Sequence, residues 1–329
     1  MKIASKFEKL GVLVACALCF ASSQSAAQTW PAKEITLLVP GAPGGSSDLP
    51  ARLMAERMSK DLGQPIIIKN RPSASSIVAM GALKEAKADG YTLGFMPGSA
   101  FIVAPWTSSV TLPYDVIRDF TPIGMAVYTP LAIAVSAASP YKTMRDLLDA
   151  AKAKPDTLVV ANPGANTLAD LGTRLISSNA KAPLRSIAFS GFPQSYPAVV
   201  RGDAAAVIDG VSPMLPHVEA GTLRILSVGS QTKLPGLESF ALLNDAVAGV
   251  AIEGWFGVFA PAGLPDDMSK KISESVQRAM RDDTLVARLK GWGMYPRQDS
   301  PESFKQYVKQ EHDKWGKIVR ASNVGAPSK

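Results

Sequence analysis

"EITLLVPGAPGGSSDLPARLMAERM", Glu34 to Met58, runs a short apolar segment into a loop of Gly, Pro and Ser and then into an amphipathic pattern. Strand, glycine loop and helix in that order expose backbone N–H groups and a helix N-terminus to an anion. The arrangement returns further along the chain. "TLLVPGAPGGSSDLPARL", Thr36 to Leu53, is echoed by "TLVVANPGANTLADLGTRL", Thr157 to Leu175. Each copy has a Thr-Leu strand, a Pro-Gly-Ala turn and Asp-Leu-x-x-Arg-Leu at the helix start. Asp48 precedes Arg52, and Asp170 precedes Arg174, by the four positions that support a first turn. An echo this short also fits generic βα punctuation. Its sharper reading is a clamp, two lobes each presenting a helix N-terminus to one end of a doubly negative ligand.

Outward from these units, strand-like and helical runs alternate: "PIIIKN", "SIVAMGALKEAKADG", "YTLGFM", "LAIAVSA", "MRDLLDAAKAK" and "LRSIAF" among them. Strands separated by helices of this length predict βαβ units, hence an α/β fold with mainly parallel sheets. The tail from Asp266 to Ser322 reads as helical and charged.

Lys2, Lys6 and Lys9 open the chain, and "LGVLVACALCFA" follows as an apolar run too short to span a bilayer. "SSQSAA" then sets Ser25 and Ala27 at the small-residue positions of a cleavage site. These features predict a signal peptide over 1–27 and a mature chain from Gln28 exported to the periplasm. Both cysteines, Cys16 and Cys19, fall in that segment, so the remainder holds no thiol for a disulfide, a metal or a nucleophile. Roughly 300 residues then remain, enough for two lobes of common size. The formal charge of +7 is not gathered into Lys/Arg clusters with interleaved aromatics, so nucleic acid is not an expected partner.

Enzyme readings fail on residues. The loop Gly41 to Asp48 has no Lys-Ser or Lys-Thr after its glycines, and no Gly-x-Gly-x-x-Gly or Gly-x-Ser-x-Gly motif occurs. The histidines, His217 and His312, stand far apart with no Cys nearby. His217 reads as a surface or helix-end residue. No catalytic residue, metal or cofactor is expected.

Binding fits better. Gly44, Gly45, Ser46 and Ser47 offer N–H and hydroxyl groups in the first loop, and Gly164, Asn166 and Thr167 do so in the second. Ser47, Asp48 and Thr167 read equally well as helix caps. Ser99, after a strand in "FMPGSAF", is a further loop hydroxyl or plain turn chemistry. Asp209 ends the strand "VIDG", where crevice residues of α/β sheets gather. An ionised carboxylate there would repel an anion unless it ordered a neighbouring donor or water.

At this point a family resemblance is plain. "WPAKEITLLVPGAPGGSSD" resembles the start of the solute-binding receptors of tripartite tricarboxylate transporters, the Bug receptors. "LGQPIIIKNRP", "KADGYTLGF", "LPYDVIRDFTPIG", "LPHVEAGTLRILSVGS", "GWFGVFAPAGLP" and "KWGKIV" extend the likeness over nearly all of the chain after residue 27. The resemblance implies a monomeric periplasmic binding protein of two α/β lobes joined by crossing strands. Residues 28–125 and 256–329 would form one lobe and 126–255 the other. It implies a small carboxylate held between the loops Pro43 to Asp48 and Gly164 to Thr167, Ala165 included, and delivery to a membrane permease of one large and one small subunit. Those are the two segments the internal echo singles out. A sensory receptor feeding a two-component system would bind the same ligands, and a periplasmic hydrolase or isomerase is the remaining alternative.

Departures from the family pattern bear on the ligand. The second loop, usually Gly-x-Gly-Ser-x-x-His-Leu, is here "GANTLADL", and the common Val-Pro-Tyr-Lys-Gly-Ser segment is "IAFSGF". Ser190 stands where the family has Lys, and Phe192 replaces a small hydroxyl residue. An aromatic near the cleft would stack on a ring, so the expectation is an aromatic dicarboxylate such as terephthalate. Phe189 and Phe192 as core packing is the competing reading.

Overall fold

A computed structural model describes residues 30–41, 43–44, 47–73, 76–108, 110–164, 167–189 and 192–321, the side chains of Phe192, Pro193 and Ala321 excepted. The opening stretch forms strand β1 (Ile35–Val39) and helix α1 (Asp48–Leu62). Ala51, Met54, Ala55 and Met58 are buried in α1 at the spacing of one helical stripe, and they join Ile35, Leu37 and Val39 in one core cluster. Gly63 ends the helix in the left-handed conformation, φ 68°. Strand β2 (Ile66–Asn70), helix α2 (Ile77–Lys84), strand β3 (Thr92–Pro97) and the short helices α3 (Ser99–Ile102) and α4 (Ala104–Thr107) follow. β1 lies between β2 and β3, parallel to both.

Next comes the 17-residue strand β4 (Phe120–Ser136), which runs across the molecule. Beyond it are α5 (Met144–Ala153), β5 (Val159–Asn162), α6 (Leu168–Ala180), β6 (Arg185–Ala188), α7 (Phe192–Arg201), β7 (Ala206–Gly210), α8 (Val211–Glu219), β8 (Leu223–Val228) and α9 (Leu243–Ala246). β5 lies between β6 and β7, parallel to both, so the second set repeats the connectivity of the first. The chain then returns through β9 (Glu253–Pro261), α10 (Asp266–Ala279), α11 (Asp283–Gly291), β10 (Tyr295–Pro296) and α12 (Pro301–Ala321).

The described residues form one ten-stranded sheet, in the order β2-β1-β3-β9-β4-β7-β5-β6, with β8 and β10 also on β4. The outer pairs are parallel, and those joining the halves through β9 and β4 are antiparallel. This is the two-lobed α/β architecture expected from the sequence. β4 pairs with β9 as far as Pro130, then with β7 and β8 from Leu131 onward. At the changeover three segments meet. Leu131 N–H donates to Ile252 C=O at 3.1 Å, Ile252 N–H to Gly229 C=O at 2.8 Å, and Gly229 N–H to Leu131 C=O at 2.7 Å. A Cβ on Gly229 would stand 2.7 Å from the Ile252 carbonyl oxygen, so the seam closes only around glycine.

Candidate functional site

The loop after β1 is braced from within. Asp48, the first residue of α1, is 1% exposed. Its Oδ2 accepts from Gly44 N–H and from Arg52 Nε, both at 2.8 Å. Its Oδ1 accepts from Asn70 Nδ2 at 2.9 Å, and the same amide donates to Gly41 C=O at 2.8 Å. Burial works to raise the Asp48 pKa, but the bonds from Arg52, Gly44 and Asn70 outweigh it and hold the carboxyl below its ordinary value. Asp48 thus ties the loop to β2, and both of its oxygens are engaged in doing so. Ser47 is buried at the N-cap position but makes no side-chain cap bond. Its Oγ fills the space where a Cβ on Gly41 would stand.

The loop after β5 is braced by other groups. Thr167 caps α6: its hydroxyl donates to Gly164 C=O at 2.7 Å and accepts from Asp170 N–H at 3.3 Å. Asn162 Oδ1 accepts from Gly164 N–H at 3.0 Å, and its Nδ2 donates to Ser186 Oγ at 2.9 Å. Ser186 Oγ donates in turn to Asp170 Oδ1 at 2.5 Å, with Arg174 Nε 3.4 Å from that oxygen. The echo in sequence is therefore an equivalence in place: strand, turn and helix, with a buried Asp in the first turn and its Arg one turn on.

Both helix starts reach one cavity of about 720 Å³. Leu49 and Pro50 of α1 and Thr167 to Ala169 of α6 line it, as do Ser99 and Asp209. β4 contributes Thr129 and Leu131 at the changeover of its partners. No Lys or Arg occurs among its described lining residues. Hydroxyls, backbone and two helix N-termini are what the described wall offers an anion.

Of the residues expected from sequence, Ser99, Thr167 and Asp209 meet at this cavity. Pro43 and Gly44 are exposed in the braced loop, and Gly164 carries the Thr167 and Asn162 bonds. Gly45, Ser46, Ala165 and Asn166 lie outside the described residues, as does the side chain of Phe192. Phe189 packs against the cluster of Tyr196, Val207 and Met214.

Sequence reasoning missed other wall residues. Ser73 and Ser76 come from the β2–α2 connection, Trp255 and Phe256 from β9, and Trp292 and Met294 from the segment before β10. Gly98 faces the Trp255 indole so closely that a Cβ would lie 2.3 Å from it. The Trp255 Nε1, itself buried, has no hydrogen-bond partner among the described residues. Gly293, at φ 63°, packs on the Ser212 backbone, which brings the returning chain against α8. The bare pairing of Gly and Trp in "GWFGVF" and "GWGMYP" was the available signal, and it does not distinguish a wall from a core.

Asp209 is the electrostatic exception. It is 4% exposed; Oδ1 accepts from its own neighbour, Gly210 N–H, at 2.7 Å, and Oδ2 has no partner among the described residues. Burial pushes its pKa up to about 8, with only the Gly210 bond opposing.

Comparison with known proteins agrees with this geometry. The family described as "TctC: Tripartite tricarboxylate transporter family receptor" matches residues 50–324. A UPF0065 protein of Bordetella bronchiseptica is 33% identical over 298 residues, covering 91% of this chain and 88% of that one. Among solved structures, "R. palustris Rpa4515 with adipate" superposes with a TM-score of 0.78 at 27% identity, over 90% of this chain and 99% of that one. "MatC (Rpa3494) from Rhodopseudomonas palustris with bound malate" does so at 0.73 and 26%, over 88% and 100%. Coverage of this extent, on a two-lobed sheet with a cavity between paired helix N-termini, fixes the relationship: the chain belongs to the tripartite tricarboxylate transporter receptor family.

Proposed function

We propose that this chain is a periplasmic receptor that closes two lobes on a small dicarboxylate and delivers it to a membrane permease of one large and one small subunit. The observation that carries the reading is the cavity of about 720 Å³ reached by the N-termini of both α1 and α6. Its size suits a small ligand, and each helix start suits one carboxylate. Adipate and malate in the two similar receptors support the ligand class. The lobes are taken as 28–125 with 256–329, and 126–255, working as a monomer. Export follows from the signal-like segment 1–27.

Within the carboxylates, the wall favours an apolar or aromatic spacer. Phe256 and Trp292, both part-exposed, offer the ligand rings, and no Lys or Arg stands among the described lining residues between its ends. Terephthalate is the acid that best combines two opposed carboxylates with a ring. Ser99 is the candidate hydroxyl donor on the described wall. The Gly44 and Gly164 amides and the Thr167 hydroxyl already donate within their own loops. Thr167 is thus left as an acceptor, and further donors are expected from Gly45, Ser46, Ala165 and Asn166.

The test is thermal shift against adipate, malate, citrate, terephthalate, phthalate and acidic amino acids, with calorimetry on every hit. An acid at about a hundred times its Kd should stabilise the fold by roughly 2.7 kcal/mol. A selective aromatic diacid bears out the full reading. An aliphatic diacid keeps the receptor and removes the ring preference. No shift with any acid rejects the carboxylate reading.

A further inference from the structure

Asp209 presents a contradiction within the site: a buried carboxyl in the wall of a cavity read as binding an anion. Its surroundings resolve it. β4 sets Ala132 opposite it in register. From α7, Tyr196 is close enough that the Asp209 charge would oppose ionisation of its phenol, and His217 of α8 stands behind, its ring 5.0 Å from that of Tyr196. From α6, Asp170 is tied to Ser186 and Arg174. Among the described residues no Lys or Arg pairs with Asp209, and one of its oxygens has no hydrogen bond. A carboxylate so placed would be an unpaired buried anion, which proteins avoid by protonation.

We propose that Asp209 is a proton-bearing member of the ligand site, its neutral carboxyl donating a hydrogen bond from Oδ2 to an oxygen of the bound carboxylate. The inference rests on the carboxylate reading above and goes beyond it by assigning the ligand a donor that is itself an acid. A half-turn about the Cβ–Cγ bond exchanges the two oxygens, so the proton can sit on whichever oxygen does not hold the Gly210 N–H bond. No proton changes molecule: it stays on Asp209 and is shared with the ligand oxygen. Bonds between a carboxylic acid and a carboxylate are short and strong where water is excluded. Burial, which pushes the pKa of this group up to about 8 in the free protein, keeps the donor present at neutral pH.

The consequence is a coupling between ligand and proton. The protonated form binds and the ionised form repels, so the Kd should be flat below about pH 7.5 and rise roughly tenfold for each pH unit above about 8. Asp209→Asn keeps the shape, an acceptor for Gly210 and a permanently neutral donor. Its affinity should be independent of pH across the same span. Calorimetry with adipate and terephthalate from about pH 6.5 to about pH 9.5, in buffers of different ionisation heat, reads both affinity and proton uptake. Infrared spectroscopy of the ligand-free protein provides a second readout. Wild type should show a protonated-carboxyl band at neutral pH that bleaches above about pH 8 and is missing from Asp209→Asn. Absence of that band overturns the proposal whatever happens to the variant. A wild-type affinity that is flat in pH, with no proton uptake, overturns it too and leaves the carboxylate receptor standing. If neither acid binds, nor any acid of the panel, the receptor reading falls and takes this inference with it.

Discussion

The loop between β1 and α1 and the loop between β5 and α6 occupy the same place in their lobes, yet different chemistry holds them. In the first, the Asp48 carboxylate is the hub, taking Gly44 N–H, Arg52 and Asn70. In the second, a hydroxyl, Thr167, closes the turn while Asp170 is drawn aside to Ser186. The cap position also differs: Thr167 makes a side-chain cap bond and Ser47 does not. Topology and the helix N-terminus are common to both, and the means of bracing the described loop residues is local. Both helix starts at the cavity are anchored, each by its own set of groups.

The comparison can be broken hardest at the hub. Asp48→Ala removes a buried acceptor from three donors and should cost about 3 kcal/mol in urea unfolding. A loss below about 1 kcal/mol would mean the first loop is held by something else. Gly229→Ala strikes the seam that serves both lobes. Its Cβ would press on the Ile252 and Leu131 carbonyls, and a cost of about 2–3 kcal/mol is expected, with the two loops affected alike. Hydrogen exchange on the two loop regions reads that equality, and protection lost in one alone would refute it.

Acid distinguishes the lobes more gently. Because the folded pKa of Asp48 lies below its ordinary value, its contribution is present above about pH 4 and fades as pH falls through the folded value. Asp48→Asn should therefore flatten the acid limb of the stability profile, and an unchanged limb would count against the ionised hub. The smallest contrast is at the caps. Thr167→Val should cost about 1 kcal/mol and Ser47→Ala no more than about 0.5 kcal/mol, measured by thermal unfolding. Equal costs would erase the distinction between the two helix starts.

Much of this was legible in the chain. The Thr36 and Thr157 units mark the equivalent βα turns, and the stripe of Ala51, Met54, Ala55 and Met58 announces the face of α1. Other features were hidden for physical reasons. Pro122 and Pro130 read as punctuation, so only "LAIAVSA" looks like strand, whereas β4 takes both prolines by shifting register near Pro122 and changing partners after Pro130. The inward turn of Asp48 could not be told from a cap or a ligand contact, since an acid in a first turn serves all three. Ser73, Trp255 and Trp292 come from three separated segments that only the tertiary fold assembles. Gly45, Ser46, Ala165 and Asn166 remain sequence expectations.

The position of β9 has a consequence for how the protein comes to be. It is the strand beside β3 in the first lobe, through Gly94 opposite Phe259, yet it follows every strand of the second. As the chain emerges from its N-terminus, β1, β2 and β3 are made early, but the β3 edge stays unpaired until β9 arrives. The strands β4 to β8 have no such wait, because all their neighbours on the far side of Leu131 are contiguous in the chain. The second lobe can therefore complete its sheet first, and the lobe that begins the chain is the one that finishes last.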